Sequence, residues 1–238
     1  MKIFVLTLLT FWFSTTGLLG QSLLGAWENT STREDGTIVR SVVIFSKGYQ
    51  AATWFDAKTG AFIKTNGGSW QLNGSTITET VEFDSQNPDR VGSQVTFEIA
   101  LEGDKLKATD DDLSWTRIDD GTPGQLKGAW LISGRMRDGE IQQRDTNRPR
   151  KTMKILSGTR FQWIAYNTET KQFMGTGGGT YSTENGKYTE NIGFFSRDNS
   201  RVGASLSFNF ELKEGNWHHS GKSSKGSPIY EIWSQRKQ

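Results

Sequence analysis

The chain has 238 residues, a formal net charge of +2 with both signs interspersed, and no cysteine. Such a balance excludes the basic face or stripe with which proteins hold nucleic acid. Without cysteine there is neither a disulfide framework nor a lipid anchor on an N-terminal thiol, so the fold must rest on core burial. The 27 Gly and 4 Pro, with 9 Trp and 14 Phe, favour sheet over helix.

Residues 1–20, MKIFVLTLLTFWFSTTGLLG, carry one charge, Lys2, then an apolar run from Ile3 to Phe13 and a small, polar tail. This pattern predicts a secretory signal peptide with cleavage near Gly20–Gln21, Gly17 being the second choice. The expected location is periplasmic or secreted. No later segment is apolar enough to cross a membrane, so stable membrane insertion is not expected.

The remaining chain is written twice. Ile44 to Glu102 aligns without a gap with Ile155 to Lys213, 111 residues later. Identities include Phe62 and Phe173, Gly67-Gly68 and Gly178-Gly179, Thr78-Glu79 and Thr189-Glu190, and Arg90-Val91-Gly92 and Arg201-Val202-Gly203. Upstream, Gly25-Ala26-Trp27 recurs as Gly128-Ala129-Trp130 at a spacing of 103, so the second copy carries an eight-residue insertion near the basic run Arg144–Lys151. That run is read as a solvated loop. Each copy is of domain size, well above a solenoid unit. The expected domains are 21–118 and 126–238, joined by the Gly- and Asp-containing linker 119–125.

Within each copy the apolar period is two. Ile77, Glu79, Val81 and Phe83 share one parity, as do Val91, Val95, Phe97, Ile99 and Leu101. Asn73-Gly74, Asn185-Gly186 and Asp35-Gly36 mark tight turns. The prediction is all-β: roughly eight antiparallel strands per copy, closed into two tandem barrels, with β-sandwiches as the rival.

The Gly-Ala-Trp triplets resemble the G-x-W motif that opens lipocalin barrels, and each copy ends on a Trp with an Arg nearby: Trp115 and Arg117, Trp233 and Arg236. The stretches YTENIGFFSRDNSRVG (188–203) and YEIW (230–233) are similar to a group of exported, lipocalin-like Bacteroidetes proteins of unknown function. The first copy departs from that pattern, with Leu113 where a Glu precedes the last Trp. The resemblance implies eight-stranded barrels, each with its opening Trp at the bottom and a terminal Arg packed across it. It also implies a habit of binding small molecules.

Glu79 and Glu190 break the apolar pattern of their strands. A carboxylate there must be paired, hydrogen-bonded or protonated. Three readings stand: a structural ion pair or hydrogen bond, with Arg90 or Arg201 as candidate partners; a polar anchor in an apolar cavity; or a general acid or base. Arg90 and Arg201 are read as turn residues paired with a loop Asp. The glycines of GTGGGTY (175–181) are read as a bend or close approach rather than a phosphate loop. His218 and His219 point to opposite faces of a strand, which makes them poor joint ligands, so no metal site and no cofactor are expected. No catalytic set recurs in both copies, and the chain is read as a non-enzyme.

The expected function is binding of a small apolar or amphipathic ligand. The candidate lining is Glu190 with Trp163, Tyr188 and Phe208 in the second copy, the preferred site, and Glu79 with Trp70 and Phe97 in the first. The alternative is a non-catalytic envelope module with filled barrels that binds a glycan or a partner protein.

Overall fold

The computed structural model describes residues 22–109, 113–223 and 226–237; the predicted signal peptide lies outside them. The first copy comprises β1 (Gly25–Thr32), β2 (Ile38–Ser46), β3 (Tyr49–Asp56), β4 (Phe62–Asn73), β5 (Thr76–Asp84), β6 (Gln94–Glu102), β7 (Lys105–Ala108) and β8 (Ser114–Asp119). Each pairs antiparallel with the next, and β8 returns to β1, so the sheet closes on itself. Closure removes the exposed edges that an open meander would leave.

The second copy comprises β9 (Gly128–Arg137), β10 (Glu140–Gln143), β11 (Arg150–Leu156), β12 (Arg160–Asn167), β13 (Gln172–Glu184), β14 (Lys187–Phe195), β15 (Ser205–Lys213), β16 (Asn216–Lys222) and β17 (Pro228–Gln235). Here β17 returns to β9 and closes a second eight-stranded ring, with β10 added on the far end of β9. The eight-residue insertion is thus spent on β10 and the basic loop after it. At the β13–β14 turn, Asn185 and Gly186 both take positive φ, 49° and 75°, the conformation that an Asn-Gly hairpin turn favours.

The opening tryptophans sit at the barrel ends. Trp27 is fully buried and donates from Nε1 to the Leu23 carbonyl at 2.9 Å. Arg117 lies 4.0 Å from its ring centroid and donates to the carbonyls of Leu24 and Ser22, which ties the chain entry across the barrel floor. Trp130 repeats the indole bond, to Leu126, but the expected Arg cover is absent. In the register of β17 it is Gln235 that stands opposite Trp130, where Arg117 stands opposite Trp27. Arg236, one residue on, crosses to the first barrel instead. It packs 3.8 Å over the ring of Tyr49 and makes paired bonds of 2.9 Å to Glu82.

The barrels pack against each other on their outer faces. One core cluster draws from both copies: Ala26, Ile44, Tyr49, Ala51 and Phe83 with Ala129, Met153, Ile155, Ile164 and Tyr166. Phe62 stacks on Phe173, its own counterpart, with centroids 6.0 Å apart. Phe55 stacks on Phe194 and Phe83 meets Tyr166, each pair at 5.1 Å and each the mirror of the other in the repeat. Gln162 donates to Thr65 and to that residue's counterpart Thr176. A residue that touches its own equivalent marks a two-fold relation, so the copies face each other across a pseudo-two-fold axis.

One parity assignment is corrected. Phe83 does not share the inner face with Ile77 and Glu79. A β-bulge leaves Glu82 unpaired between Val81 and Phe83, opposite Gly67-Gly68, and the alternation flips there. The same bulge at Gly193 turns Phe194 outward. These two flipped rings are what the barrels use to join. The glycines of 175–181 serve close approach: a Cβ on Gly179 would lie 2.0 Å from the Asn191 carbonyl oxygen, and one on Gly178 2.5 Å from that of Phe161.

The linker is fastened. The Asp119 carboxylate accepts bonds from Ser157 Oγ, the backbone N–H groups of Gly158 and Thr159, and Thr159 Oγ1, all on the β11–β12 turn. Burial raises its pKa, but these bonds outweigh it and hold the group below the usual carboxylate range.

Candidate functional site

The interior of the first barrel holds a cavity of about 360 Å³. Its wall comes from inward positions of successive strands: Val43 and Phe45 on β2, Gln50, Ala52 and Trp54 on β3, Ile77 and Glu79 on β5, and Val95, Phe97 and Ile99 on β6. Asn66 on β4 and Leu106, Ala108 and Trp115 on β7 and β8 also line it. The wall is apolar but for a few groups, as small-molecule sites are. Glu79, 5% exposed, accepts a 2.7 Å bond from Gln50 Nε2. Burial pushes its pKa up, against the Gln50 bond and the charge of Arg90. Arg90, also at the cavity wall, is itself paired with Asp84 at 2.7 Å, as its turn reading implies. Among the described residues, Gln50 Oε1 is buried without a hydrogen-bond partner. Glu79 and Gln50 thus present a carboxyl group and an unpartnered amide oxygen to the cavity, both suited to accept from a donor, and Asn66 adds a second amide to the wall.

Of the residues singled out in this copy, Glu79 and Phe97 line the cavity. Trp70 stands across the strand pair from Glu79, edge-on to Phe45, with Nε1 bonded to the Ser46 carbonyl. It packs against the inner core rather than on the cavity wall.

The second barrel puts different chemistry in the same places. Glu190 is ion-paired at 2.7 Å with Lys154, and both are buried. The structural reading of Glu190 is therefore the one its geometry matches, with Lys154 as partner in place of Arg201. Arg201 pairs instead with Asp198 in its own loop. The Lys154 ammonium lies 4.9–5.2 Å from the ring centroids of Tyr188, Trp217 and Trp233, a cation held among aromatic faces. Tyr188 and Phe208 do come together around this pair, with Phe208 4.2 Å from His219 between centroids. Trp163 packs at the edge of the same cluster, against Phe195.

His218 and His219 part to opposite faces as expected: His218 bonds to Tyr230 Oη, and His219 points inward to Glu231. Burial and the nearby Lys154 push the His219 pKa below its ordinary value, against Glu231. Burial pushes Glu231 up, but His219 and Lys154 outweigh it and leave the carboxyl below its usual range.

Substitution along the repeat explains the contrast. Val43, Gln50, Ala52, Ile77, Leu106 and Ala108 of the first copy become Lys154, Phe161, Trp163, Tyr188, Trp217 and His219 in the second. Five of these changes add a ring, while Phe45 to Leu156 and Trp54 to Ala165 each remove one. Sequence reasoning missed Lys154 and Gln50. Both faces of β2, β3 and β11 are buried, one in a barrel and one against the other copy, so parity could not tell which side a polar residue served. The signal that could have found Lys154 was a lone cation in the apolar run Met153–Leu156, answering a lone carboxylate at Glu190.

No family model matches this chain, and a search of curated proteins finds none that matches it.

Proposed function

We propose that the protein binds a small, largely apolar molecule inside the first barrel, and that it does so as an exported protein of lipocalin-like architecture. The observation that carries this reading is the cavity of about 360 Å³ walled by Phe45, Trp54, Phe97 and Trp115 with Glu79 and Gln50 set into it. Two buried acceptors, one unpartnered, favour a ligand with an apolar body and at least one N–H or O–H donor. The second barrel serves as the rigid partner: its ring-filled interior and Lys154–Glu190 pair leave Glu190 engaged by its own chain. The site preference drawn from the sequence therefore moves from the second copy to the first.

The test is native mass spectrometry of the protein purified from its own host. The expected result is a co-purifying small molecule that is lost when Ala52→Trp fills the first cavity and kept in Glu190→Gln. A clean protein mass from the host, with both barrels folded, would count against the reading and favour the filled-module alternative.

A further inference from the structure

The pseudo-two-fold axis makes two equivalent clefts between the barrels, and the chain treats them differently. In one, the Arg236 side chain is inserted: it covers Tyr49, bonds Glu82 twice, and lies 3.4 Å from both Met153 Sδ and Tyr166 Oη. The repeat maps Tyr49, Glu82, Met153 and Tyr166 onto Arg160, Gly193, Val42 and Phe55. These four residues line the other cleft, which is left open with a volume of about 320 Å³. The exchange inverts the charge. Where the filled cleft offers a carboxylate and receives a guanidinium from the same chain, the open one offers a guanidinium and has a glycine at the carboxylate's place.

Among the described residues, Arg160 has no ion-pair or side-chain hydrogen-bond partner, and its Nε is buried. The neighbouring Arg40 is already engaged by Glu28, and Lys58 stands at the rim. The carboxylates of Glu28 and Asp119 reach Arg160 only through the field, while Arg40 opposes it. A cation half-withdrawn from water without a partner is unfavourable unless something answers it. Part of the remaining wall is apolar, with Phe55, Phe194, Ile192 and Val202, and part is neutral and polar, with Thr180 and Asn191 among it.

We propose that this open cleft is a second binding site, for a small organic anion whose charged head lies on Arg160 and whose apolar body packs against Phe55 and Phe194. A guanidinium suits an oxyanion head because it presents its donors as a planar fork. The site is separate from the first-barrel cavity and does not rest on that reading.

Calorimetric titration with octanoate and with octanamide, its neutral isostere, tests it at low salt. Octanoate is expected to bind one to one and, in Ala52→Trp with the barrel cavity filled, at least tenfold more tightly than octanamide. Arg160→Met should weaken octanoate at least tenfold, while Ala52→Trp and Arg148→Gln leave it unchanged. Absence of octanoate binding, equal binding of acid and amide in Ala52→Trp, or full affinity in Arg160→Met would overturn the proposal. So would loss that follows Ala52→Trp, which assigns the anion to the barrel, or Arg148→Gln, which assigns it to the exposed basic loop. Should Arg160→Met fold poorly, methyl NMR of the unmodified protein decides: octanoate must shift Val202 and Ile192 of the cleft, and shifts confined to Val95 and Ile99 of the barrel would contradict it.

Discussion

The two barrels share a repeat, a ring of eight strands and a carboxylate at the same place, yet Glu79 faces a cavity and Glu190 faces a lysine. The difference lies in a handful of inward positions. Duplication gave both copies the same closed scaffold, and substitution at positions such as Ala52 against Trp163 and Val43 against Lys154 then decided which interior stays open. The first interior keeps a cavity, while the second is packed with its own rings. A polar residue kept in both copies of a repeat need not keep one role.

The contrast can be broken most directly at the paired carboxylates. Glu190→Ala strands the buried Lys154 ammonium, and a loss of about 3–5 kcal/mol is expected in denaturant unfolding. Glu79→Ala removes only a bond to Gln50 beside a cavity and should cost far less. Equal losses would mean that the two sites are equivalent. At the interface, Glu82→Ala leaves Arg236 without its two bonds on the filled side of the axis, a loss of about 2–3 kcal/mol by the same measurement. No such loss is expected from Arg160→Met on the open side. At the barrel floors, Arg117→Gln removes the cover of Trp27 and two carbonyl bonds, which should lower stability by roughly 1–2 kcal/mol. The second barrel already works with Gln235 at that place.

Acidification gives the smallest effect, and its sign differs between barrels. His219 has a folded pKa below the ordinary imidazole value of 6.5, so the unfolded chain takes the proton first and stability falls as pH drops below about 6.5. Glu79 has a folded pKa above the ordinary carboxyl value of 4.5, so the folded chain takes the proton first and stability rises as pH falls through that folded value toward 4.5. Unfolding midpoints followed from pH 7 to 5 should therefore fall less steeply in His219→Phe than in the unmodified protein. In Glu79→Gln they should fall more steeply. A common direction for both variants would contradict the two environments described here.

Much of the architecture was legible in the residues. The repeat, the period-two strands and the Asn-Gly turns carry the two barrels, and the Arg117–Trp27 pair follows the resemblance. What was hidden has a common cause. Strands that lie between a barrel interior and an inter-barrel core are apolar on both faces, so Ile44 and Val43 look alike although one faces the other copy and one the cavity. A bulge then reversed Phe83 and Phe194 without a mark that parity could read. Arg236 was misplaced by one position: the register of β17 puts Gln235 over Trp130 and frees the arginine to cross the axis. The candidate cavity was half legible. Glu79 and Phe97 were found by their odd chemistry and parity, while Gln50, an amide among apolar neighbours, gave the same signal and was passed over.

One barrel keeps a cavity and the other is filled by its own rings, and a neutral fluorescent probe tests the difference. N-phenyl-1-naphthylamine is apolar, carries a single N–H donor, and brightens when it leaves water. One probe is expected to bind per chain, with fluorescence lost in Ala52→Trp and unchanged in Glu190→Gln. A probe that fails to bind the unmodified protein, or that binds Ala52→Trp as well as before, would contradict it.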